Sequence, residues 1–187
     1  YKKLADMLFP NITKTISYYE ETLFPDRGLA DGAKVTRLAP SPTGFIHLGN
    51  LYGAFVDERL AHQSNGVFIL RIEDTDEKRK VEGAVETIIN SLEFFDLRFD
   101  EGAGINGETG NYGPYFQSNR AEIYQTVAKH LIEMGRAYPC FCSEEELSKI
   151  REQQIAENVN TGYYGKWAVD RDLTLEEVKK HLDNNDS

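Results

Sequence analysis

The sequence is poor in cysteine and has no long apolar run. Two cysteines among 187 residues exclude a disulfide-rich scaffold. No stretch approaches the roughly 20 apolar residues that cross a bilayer, and no charged-then-apolar signal segment opens the chain. We therefore expect a cytoplasmic protein without a membrane partner.

Basic residues are in the minority. The chain has 21 Lys and Arg against 31 Asp and Glu, a net charge of −10. This balance argues against binding nucleic acid through bulk charge and leaves only local basic patches for that purpose. The length suits one domain with an appendage.

The clearest structural pattern lies between residues 35 and 72. Val35–Ala39 is typical of a short strand, the apolar spacing in 50–63 indicates a helix, and Val67–Ile72 is almost continuously apolar. Such a run is typical of a strand that is covered on both faces. Strand, helix and strand in this order predict a βαβ unit with a parallel sheet, and therefore an α/β fold.

Further helices are predicted on both sides of this unit. Residues 1–24 read as two helical pieces around residues 9–11, followed by a linker at 25–34. A helix from about residue 78 has its apolar positions at helical spacing: Val81, Val85, Ile88, Ile89, Leu92 and Phe95. The next helix, capped by Ser118 and stopped by Gly135, has a predicted buried stripe of Tyr124, Val127, Ala128, Leu131 and Ile132.

The remaining segments are shorter. Residues 100–115 and 158–173 are predicted loops, and residues 137–142 a strand. Ser143 with Glu146, and Thr174 with Glu177, have the spacing of capping boxes and predict two more helices. Residues 102–107 match the G-x-G-x-x-G pattern of dinucleotide sites, but no helix pattern follows, so we interpret them as a flexible loop.

The residues best suited to chemistry follow the first predicted strand. Residues 37–50 lead into the N-terminus of a helix, whose free N–H groups favour phosphate. Gly44 and Gly49 let the backbone approach a ligand closely. His47 suits either a hydrogen bond to phosphate or a cap of the helix.

A second candidate group follows the other strand, at residues 71–76. The carboxyl ends of parallel strands meet at one edge of the sheet, where ligands bind, so Glu73 and Arg37 are expected to face the same ligand. A carboxylate suits an ammonium group and a guanidinium suits a carboxylate, so this pair fits a zwitterionic amino acid. Residues 74–76 are more simply explained as caps of the following helix.

Three segments together resemble glutamyl-tRNA synthetase, a class I aminoacyl-tRNA synthetase. They are Arg37-Leu-Ala-Pro-Ser-Pro-Thr-Gly44, His47-Leu-Gly-Asn50 and Phe68-Ile-Leu-Arg-Ile-Glu-Asp-Thr-Asp76. The resemblance implies the first half of a class I Rossmann-like, HUP-type nucleotide-binding domain with a parallel sheet, plus part of an inserted α+β acceptor-stem domain. The implied boundaries are a helical extension at 1–34, half of the catalytic domain at 35–115, and the start of the insertion at 116–187.

The same resemblance implies a reaction and a site. ATP and Mg²⁺ would convert L-glutamate to glutamyl-adenylate, and the glutamyl group would pass to tRNA(Glu). The implied ATP-binding residues are Thr43, Gly44, His47 and Gly49, and the catalytic signature is His47, Gly49 and Asn50. The implied glutamate-binding residues are Arg37, which would hold the side-chain carboxylate, Glu73, which would hold the ammonium group, and Ala39 and Ser41.

The chain departs from this family at its end and in the insertion. The second ATP signature, a lysine loop, is absent from the sequence, so we expect an amino-terminal fragment that is inactive alone and whose partner is the C-terminal half of the parent enzyme. Some family members bind zinc through Cys-x-Cys, a tyrosine and a later cysteine. Cys140 and Cys142 match the first pair, but Trp167 stands where the third cysteine is expected, so we predict a degenerate half-site without metal, because two cysteines rarely complete a tetrahedral site.

Contacts with tRNA phosphates would come from basic residues after residue 100. The candidates are Arg120, Lys149, Arg151 and Lys166, with Lys129, Arg136 and Arg171 as further members. Two alternatives stay open. One is a shorter paralogue, similar to glutamyl-queuosine tRNA(Asp) synthetase, against which the N-terminal extension counts. The other is a non-catalytic module that binds the tRNA acceptor stem.

Overall fold

The computed structural model describes residues 1–44, 46–76, 78–79 and 81–184. The chain divides into two compact units, one formed by Lys14–Tyr124 and the other by Tyr1–Thr13 with Gln125–Ser187. The family-based domain boundaries given above stay a prediction. Within the described residues, no helix is both long and apolar enough to span a membrane.

The α-helices are α1 (Lys2–Leu8), α2 (Ile16–Thr22), α3 (Leu48–Gln63), α4 (Ala84–Phe94), α5 (Ala121–Glu133), α6 (Glu144–Ala156) and α7 (Leu175–Asp183). The strands are β1 (Val35–Leu38), β2 (Val67–Leu70), β3 (Glu101–Gly104) and β4 (Gly107–Thr109). Short 3-10 turns occupy Gln117–Arg120, Gly165–Trp167 and Val169–Asp172.

The unit Lys14–Tyr124 is built on one four-stranded sheet with the order β1-β2-β3-β4. The first three strands are parallel, and β4 runs antiparallel to β3. Helix α3 connects β1 to β2, and α4 connects β2 to β3. The predicted βαβ unit and α/β class are therefore confirmed.

The core of this unit lies around β2 and α4. Phe68, Leu70 and Leu92 are fully buried, and Ile88 and Ile89 are nearly so, each such side chain contributing about 1.5–3 kcal/mol of burial free energy. The predicted apolar stripe is wrong at its two ends, because the side chains there are not buried: Val81 is 48% and Phe95 55% exposed. Helix α4 begins at Ala84 rather than near residue 78, so both residues lie outside the helix. Residues 77 and 80 lie outside the described residues.

The predicted loop at 100–115 is wrong at 101–109, where β3 and β4 form a hairpin, and is confirmed at 110–115, which contain no helix or strand. Gly102 pairs so closely with β2 that a Cβ atom on it would lie 2.3 Å from the Leu70 carbonyl oxygen. The glycine at this position therefore allows the two strand backbones to approach each other closely, and it does not make the segment flexible. Arg27 fastens the hairpin through an ion pair with Glu101, and its guanidinium lies 3.6 Å from the centre of the Tyr112 ring. The rejection of a dinucleotide motif holds, since a strand and not a helix follows Gly107.

The other unit is helical in its described part. The capping boxes of Ser143 with Glu146 and of Thr174 with Glu177 are confirmed at the starts of α6 and α7. The strand predicted at 137–142 is wrong. No neighbouring strand is available in this part of the described chain, and the segment is held by side chains instead: Asp170 accepts a hydrogen bond from the Phe141 N–H, and the Phe141 ring stacks on His181 at 4.5 Å.

Helix α5 buries a narrower face than predicted. Tyr124, Val127 and Leu131 are between 37% and 40% exposed, whereas Thr126 and Ile132 are buried. The buried face thus includes a polar residue that an apolar pattern does not reveal. Gly135 follows the helix with φ +69°, as expected for a residue that ends it.

Candidate active site

The candidate site begins where β1 and β2 end side by side. Leu38 and Leu70 are paired at the last position of the two strands. Backbone hydrogen bonds continue the pairing beyond them, from Arg71 N–H to Leu38 C=O and from Glu73 N–H to Pro40 C=O. The segments after the two strands therefore run together, as expected for parallel strands.

Glu73 lies between two guanidinium groups at this edge. Its Oε1 is 2.8 Å from Arg71 Nη2 and 3.3 Å from Arg37 Nη1. The predicted juxtaposition of Arg37 and Glu73 is therefore present. Arg71 was not predicted, although its place two residues before Glu73, on the same side of an extended chain, is a signal that sequence periodicity offers.

Arg120 adds positive charge to the same region. Burial lowers the pKa of Arg120, the nearby Arg71 and Arg37 guanidinium groups lower it further, and Tyr124 raises it. One nitrogen, Nη1, donates a hydrogen bond to the Pro114 carbonyl at 2.6 Å. Arg120 is thus close enough to Arg37 and Arg71 for the three guanidinium charges to interact, and Glu73 pairs with the latter two. Grouped guanidinium charges suit an anionic ligand.

Asp74, which directly follows Glu73, links this segment to Ser118. Its carboxylate accepts two hydrogen bonds from Ser118, one from the backbone N–H at 2.9 Å and one from the hydroxyl at 2.7 Å. Two predictions are corrected by this contact. Ser118 is not a helix cap, because its hydroxyl is used here within the turn Gln117–Arg120, and Asp74 does not cap α4, which begins ten residues later.

His47 caps the N-terminus of α3. Its Nδ1 accepts a hydrogen bond from Gly49 N–H at 3.1 Å, and Asn50 Oδ1 accepts one from His47 N–H at 3.3 Å. Because Nδ1 is an acceptor, the neutral ring carries its proton on Nε2, which remains a donor. A Cβ atom on Gly49 would lie 3.1 Å from the His47 ring, so glycine keeps this capping geometry free of crowding.

A small polar pocket adjoins this helix end. It has a volume of about 170 Å³. Its lining residues are Pro40, Ser41, Thr43, Gly44, Ile46, His47, Asn50 and Ile88. The structure thus brings the predicted residues Ser41, Thr43, Gly44, His47 and Asn50 together at one cavity.

Pro40 connects the pocket to the charged group. It lines the pocket and also accepts the hydrogen bond from Glu73 N–H. Ala39, half-buried, directly follows β1. Phe45, within the segment 37–50, lies outside the described residues.

The basic residues predicted for tRNA are mostly engaged in contacts within the chain. Lys149 pairs with Glu145 at 2.7 Å and Lys166 with Glu157 at 3.0 Å. Arg151 lies beside a cavity of about 240 Å³ in its own unit. Their contact with tRNA stays a prediction.

The two cysteines lie next to an acidic residue that the sequence analysis did not select. One ligand atom each from Cys140, Cys142 and Asp170 lie within 4.8 Å of one another. Burial raises the pKa of the Cys142 thiol to about 11, with Asp170 and Cys140 also raising it and the Tyr163 hydrogen bond lowering it. Two thiols and a carboxylate form a donor set that fits a zinc ion.

Comparisons with known proteins give one consistent family. The family model described as tRNA synthetases class I (E and Q), catalytic domain, matches residues 34–186. A glutamate–tRNA ligase from Acetivibrio thermocellus is 87% identical over all 187 residues, which cover 34% of that protein. One from Clostridium perfringens strain 13 is 52% identical, with 100% of this chain and 34% of the relative covered.

A solved structure agrees. A crystal structure of a glutamate tRNA ligase from Elizabethkingia meningosepticum, in complex with its amino acid, is 38% identical with a TM-score of 0.70. The match covers 83% of this chain and 31% of that one. The chain therefore spans about one third of the length of these relatives.

Proposed function

Because the chain belongs to the catalytic-domain family of class I tRNA synthetases for glutamate and glutamine, we propose that it is the front part of a glutamate–tRNA ligase. The full-length protein would activate L-glutamate with ATP and transfer it to the 3′ end of tRNA(Glu). The observation that carries this proposal is the juxtaposition of Arg37 and Glu73 at the ends of adjacent parallel strands.

The ion pairs of the charged group suit exchange with a glutamate ligand. Arg37 and Glu73 are 3.3 Å apart and their side chains are 43% and 34% exposed, so their mutual attraction is weak. The ammonium group of glutamate would take the Glu73 carboxylate, and the released Arg37 would take the side-chain carboxylate. Arg71 would hold Glu73 in place during this exchange. One weak pair is thus replaced by two charge-assisted contacts.

The phosphates of ATP would lie at the N-terminus of α3. The helix end favours negative charge, and His47 Nε2 supplies a further donor. Ser41, Thr43 and Gly44 would line the approach to the phosphates. Gly49 would lie under the adenine, and Asn50 would maintain the cap.

The chemistry needs no side-chain nucleophile. The α-carboxylate of glutamate attacks the α-phosphate of ATP, a mixed anhydride forms, and pyrophosphate leaves. A terminal ribose hydroxyl of the tRNA then attacks the anhydride carbonyl and releases AMP. The protein would contribute alignment and charge stabilisation, and Mg²⁺ carried with ATP would neutralise phosphate charge.

The ligand assignment is tested by binding. Calorimetry of the 187-residue chain with a non-hydrolysable glutamyl-adenylate analogue should give binding that Glu73→Gln weakens about 10–100-fold, because a charge-assisted contact of about 1.5–3 kcal/mol is lost. Glu93→Gln, an exposed change of the same kind on α4, is the control. Equal affinity of the Glu73→Gln and Glu93→Gln variants would exclude the proposed role of Glu73.

The contribution of the missing lysine loop is tested by catalysis. We expect weak or no glutamate-dependent ATP–pyrophosphate exchange from the 187-residue chain, and rapid exchange from the full-length protein. Rapid exchange by the short chain would show that its own residues suffice. Charging of tRNA(Asp) instead of tRNA(Glu) by the full-length protein would favour the paralogue.

A further inference from the structure

A second segment of the sheet unit runs alongside the backbone that carries Glu73. Ile72 N–H donates a hydrogen bond to the Tyr115 carbonyl at 2.9 Å, and Gln117 N–H donates one to the Ile72 carbonyl at 2.8 Å. On the other side, Glu73 N–H donates to the Pro40 carbonyl at 3.0 Å. The backbone leading to Glu73 is therefore held from both sides, although it lies beyond the end of β2.

The side chains on this backbone point alternately to two sides. Arg71 and Glu73 are partly exposed, whereas Ile72 is fully buried and Asp74 is only 9% exposed. This alternation is that of an extended chain, in which successive side chains lie on opposite sides. Asp74 therefore points away from the side on which Glu73 meets the guanidinium groups, and it is not placed to contact a ligand bound by Glu73.

The Asp74 carboxylate joins this backbone to the second segment. Its Oδ1 accepts a hydrogen bond from Ser118 N–H at 2.9 Å, and its Oδ2 accepts one from the Ser118 hydroxyl at 2.7 Å. Hydrogen bonds to an ionised carboxylate are stronger than those between neutral groups. Arg120 donates to the Pro114 carbonyl at 2.6 Å and so closes the turn in which Ser118 lies.

The side-chain contacts of Glu73 fix its carboxylate only in part. Arg71 Nη2 and Arg37 Nη1 both approach the same oxygen, Oε1, at 2.8 and 3.3 Å, and the Glu73 side chain is 34% exposed. The direction of the second oxygen therefore depends on the backbone from which the side chain extends. Binding groups must be held within about 0.5 Å of their productive geometry, so support of this backbone matters for the site.

We propose that Asp74 and Ser118 form a positioning pair for Glu73 when it binds the ammonium group of the amino acid. The pair acts through the backbone, because it fixes the residue after Glu73, while the hydrogen bonds of Ile72 and Pro40 fix the residues before it and Glu73 itself. Neither member of the pair touches the ligand. This inference rests on the proposed function, in which Glu73 holds that ammonium group.

Two ligands separate such a role from a general loss of stability. The first is the non-hydrolysable glutamyl-adenylate analogue, and the second is its glutaryl counterpart, which lacks the amino group. Calorimetry of the 187-residue chain should show tighter binding of the glutamyl analogue, because only that ligand offers an ammonium group to Glu73. Binding of the glutaryl analogue then reports on all other contacts of the site.

Single variants test the pair itself. Ser118→Ala removes the hydroxyl bond to Asp74 and keeps the backbone bond, so it should weaken the glutamyl analogue about 3–10-fold, the scale of one lost hydrogen bond. The glutaryl analogue should change less than about 2-fold, since no ammonium contact is lost. Asp74→Asn, which removes the charge, should have the same selective effect, whereas Ser118→Thr keeps the hydroxyl and should bind both analogues like wild type.

A matched control lies in the same unit, at the C-terminal end of α3. Ser64→Ala removes a hydroxyl that donates to the Leu60 carbonyl at 2.8 Å, and it should alter the affinity for neither analogue. Circular dichroism and a thermal melt verify that each variant is folded.

A double variant shows whether the pair acts through Glu73. In Glu73→Gln the charge that holds the ammonium group is already absent. Adding Ser118→Ala to Glu73→Gln should therefore weaken the glutamyl analogue by less than about 2-fold, because the two changes affect one interaction and are not additive.

Three results would overturn the positioning role and leave the proposed function intact. They are equal losses of affinity for the two analogues, unchanged affinity for the glutamyl analogue in folded Ser118→Ala and Asp74→Asn variants, and full additivity of Ser118→Ala with Glu73→Gln. A wild-type chain that binds neither analogue, or both equally, would instead overturn the proposed role of Glu73 and this inference with it.

Discussion

The two compact units are stabilised in different ways. Lys14–Tyr124 packs an apolar core around β2 and α4, in which Phe68, Leu70 and Leu92 are fully buried. The unit of Tyr1–Thr13 with Gln125–Ser187 depends more on polar contacts, such as the fully buried Gln154 bound to the backbone of Gly162. In the sheet unit, the strand ends fix the positions of the side chains at the candidate site. In the helical unit, individual hydrogen bonds fix the positions of the polar side chains.

The largest expected loss of stability comes from making the same substitution in both units. Ile88→Ala in the apolar core should lower the free energy of unfolding by an amount near the upper end of about 2–5 kcal/mol, because its neighbours cannot fill the cavity. Ile132→Ala in the other unit should fall near the lower end. Chemical denaturation measures both, and equal losses would show that the packing of the two units does not differ as described.

A second test removes a buried polar contact. Gln154 Nε2 donates to the Gly162 carbonyl at 2.7 Å, and Gln154 Oε1 accepts from Gly162 N–H at 2.9 Å. Gln154→Met keeps the volume but leaves both backbone groups unpaired, so we expect a loss of about 1–3 kcal/mol. Gln153→Met, at an exposed neighbour, is the control. Equal unfolding temperatures of the Gln154→Met and Gln153→Met variants would show that the Gln154 hydrogen bonds do not stabilise this unit.

A third test concerns the caps. Ser143→Ala and Thr174→Ala should each destabilise the helical unit by about 1 kcal/mol, because each removes an acceptor for a backbone N–H at a helix start. Hydrogen exchange should accelerate in α6 or α7, respectively, and stay unchanged in α4. Uniform acceleration across the chain would mean that the two units unfold together.

The smallest effect is expected from pH in the sheet unit. His62 lies 2.9 Å from Glu58 and 3.0 Å from Asp100. Burial lowers the pKa of His62, but the hydrogen bonds and charges of Asp100 and Glu58 raise it more, so the net shift is upward. Stability from the charged ring is therefore complete below the unfolded pKa of about 6.5 and is lost as pH rises through the higher folded pKa.

The size of this effect is limited by solvent, since the His62 side chain is 34% exposed. We expect about 0.5 kcal/mol. Denaturation between pH 5 and 9 should show the decline in wild type, and His62→Gln should flatten it. If stability still declines with rising pH in the His62→Gln variant, another titrating group is responsible for the decline.

Local sequence patterns predicted the first two strands and the starts of α6 and α7 well. The continuous apolar run of β2, the capping boxes at Ser143 and Thr174, and the meeting of Arg37 with Glu73 all depend on neighbours close in sequence or on the geometry of parallel strands. The same reasoning failed at residues 101–109, where Gly102, which resembles a loop residue, allows close strand pairing with Leu70. It also failed at 137–142, where the Phe141 N–H donates to Asp170 and the Phe141 ring stacks on His181 instead of the segment pairing with a strand.

The sequence by itself determined the family, the α/β class and the pair of charged residues at the strand ends, because those features follow from short-range periodicity and motif order. Only the tertiary structure decided that Arg120 lies near Arg37 and Arg71, that Asp74 binds Ser118, and that Asp170 reaches the two cysteines. Asp74 and Ser118 are 44 positions apart and Cys142 and Asp170 are 28 positions apart. The free energy of such contacts depends on distance and burial in the folded chain, which no local pattern contains.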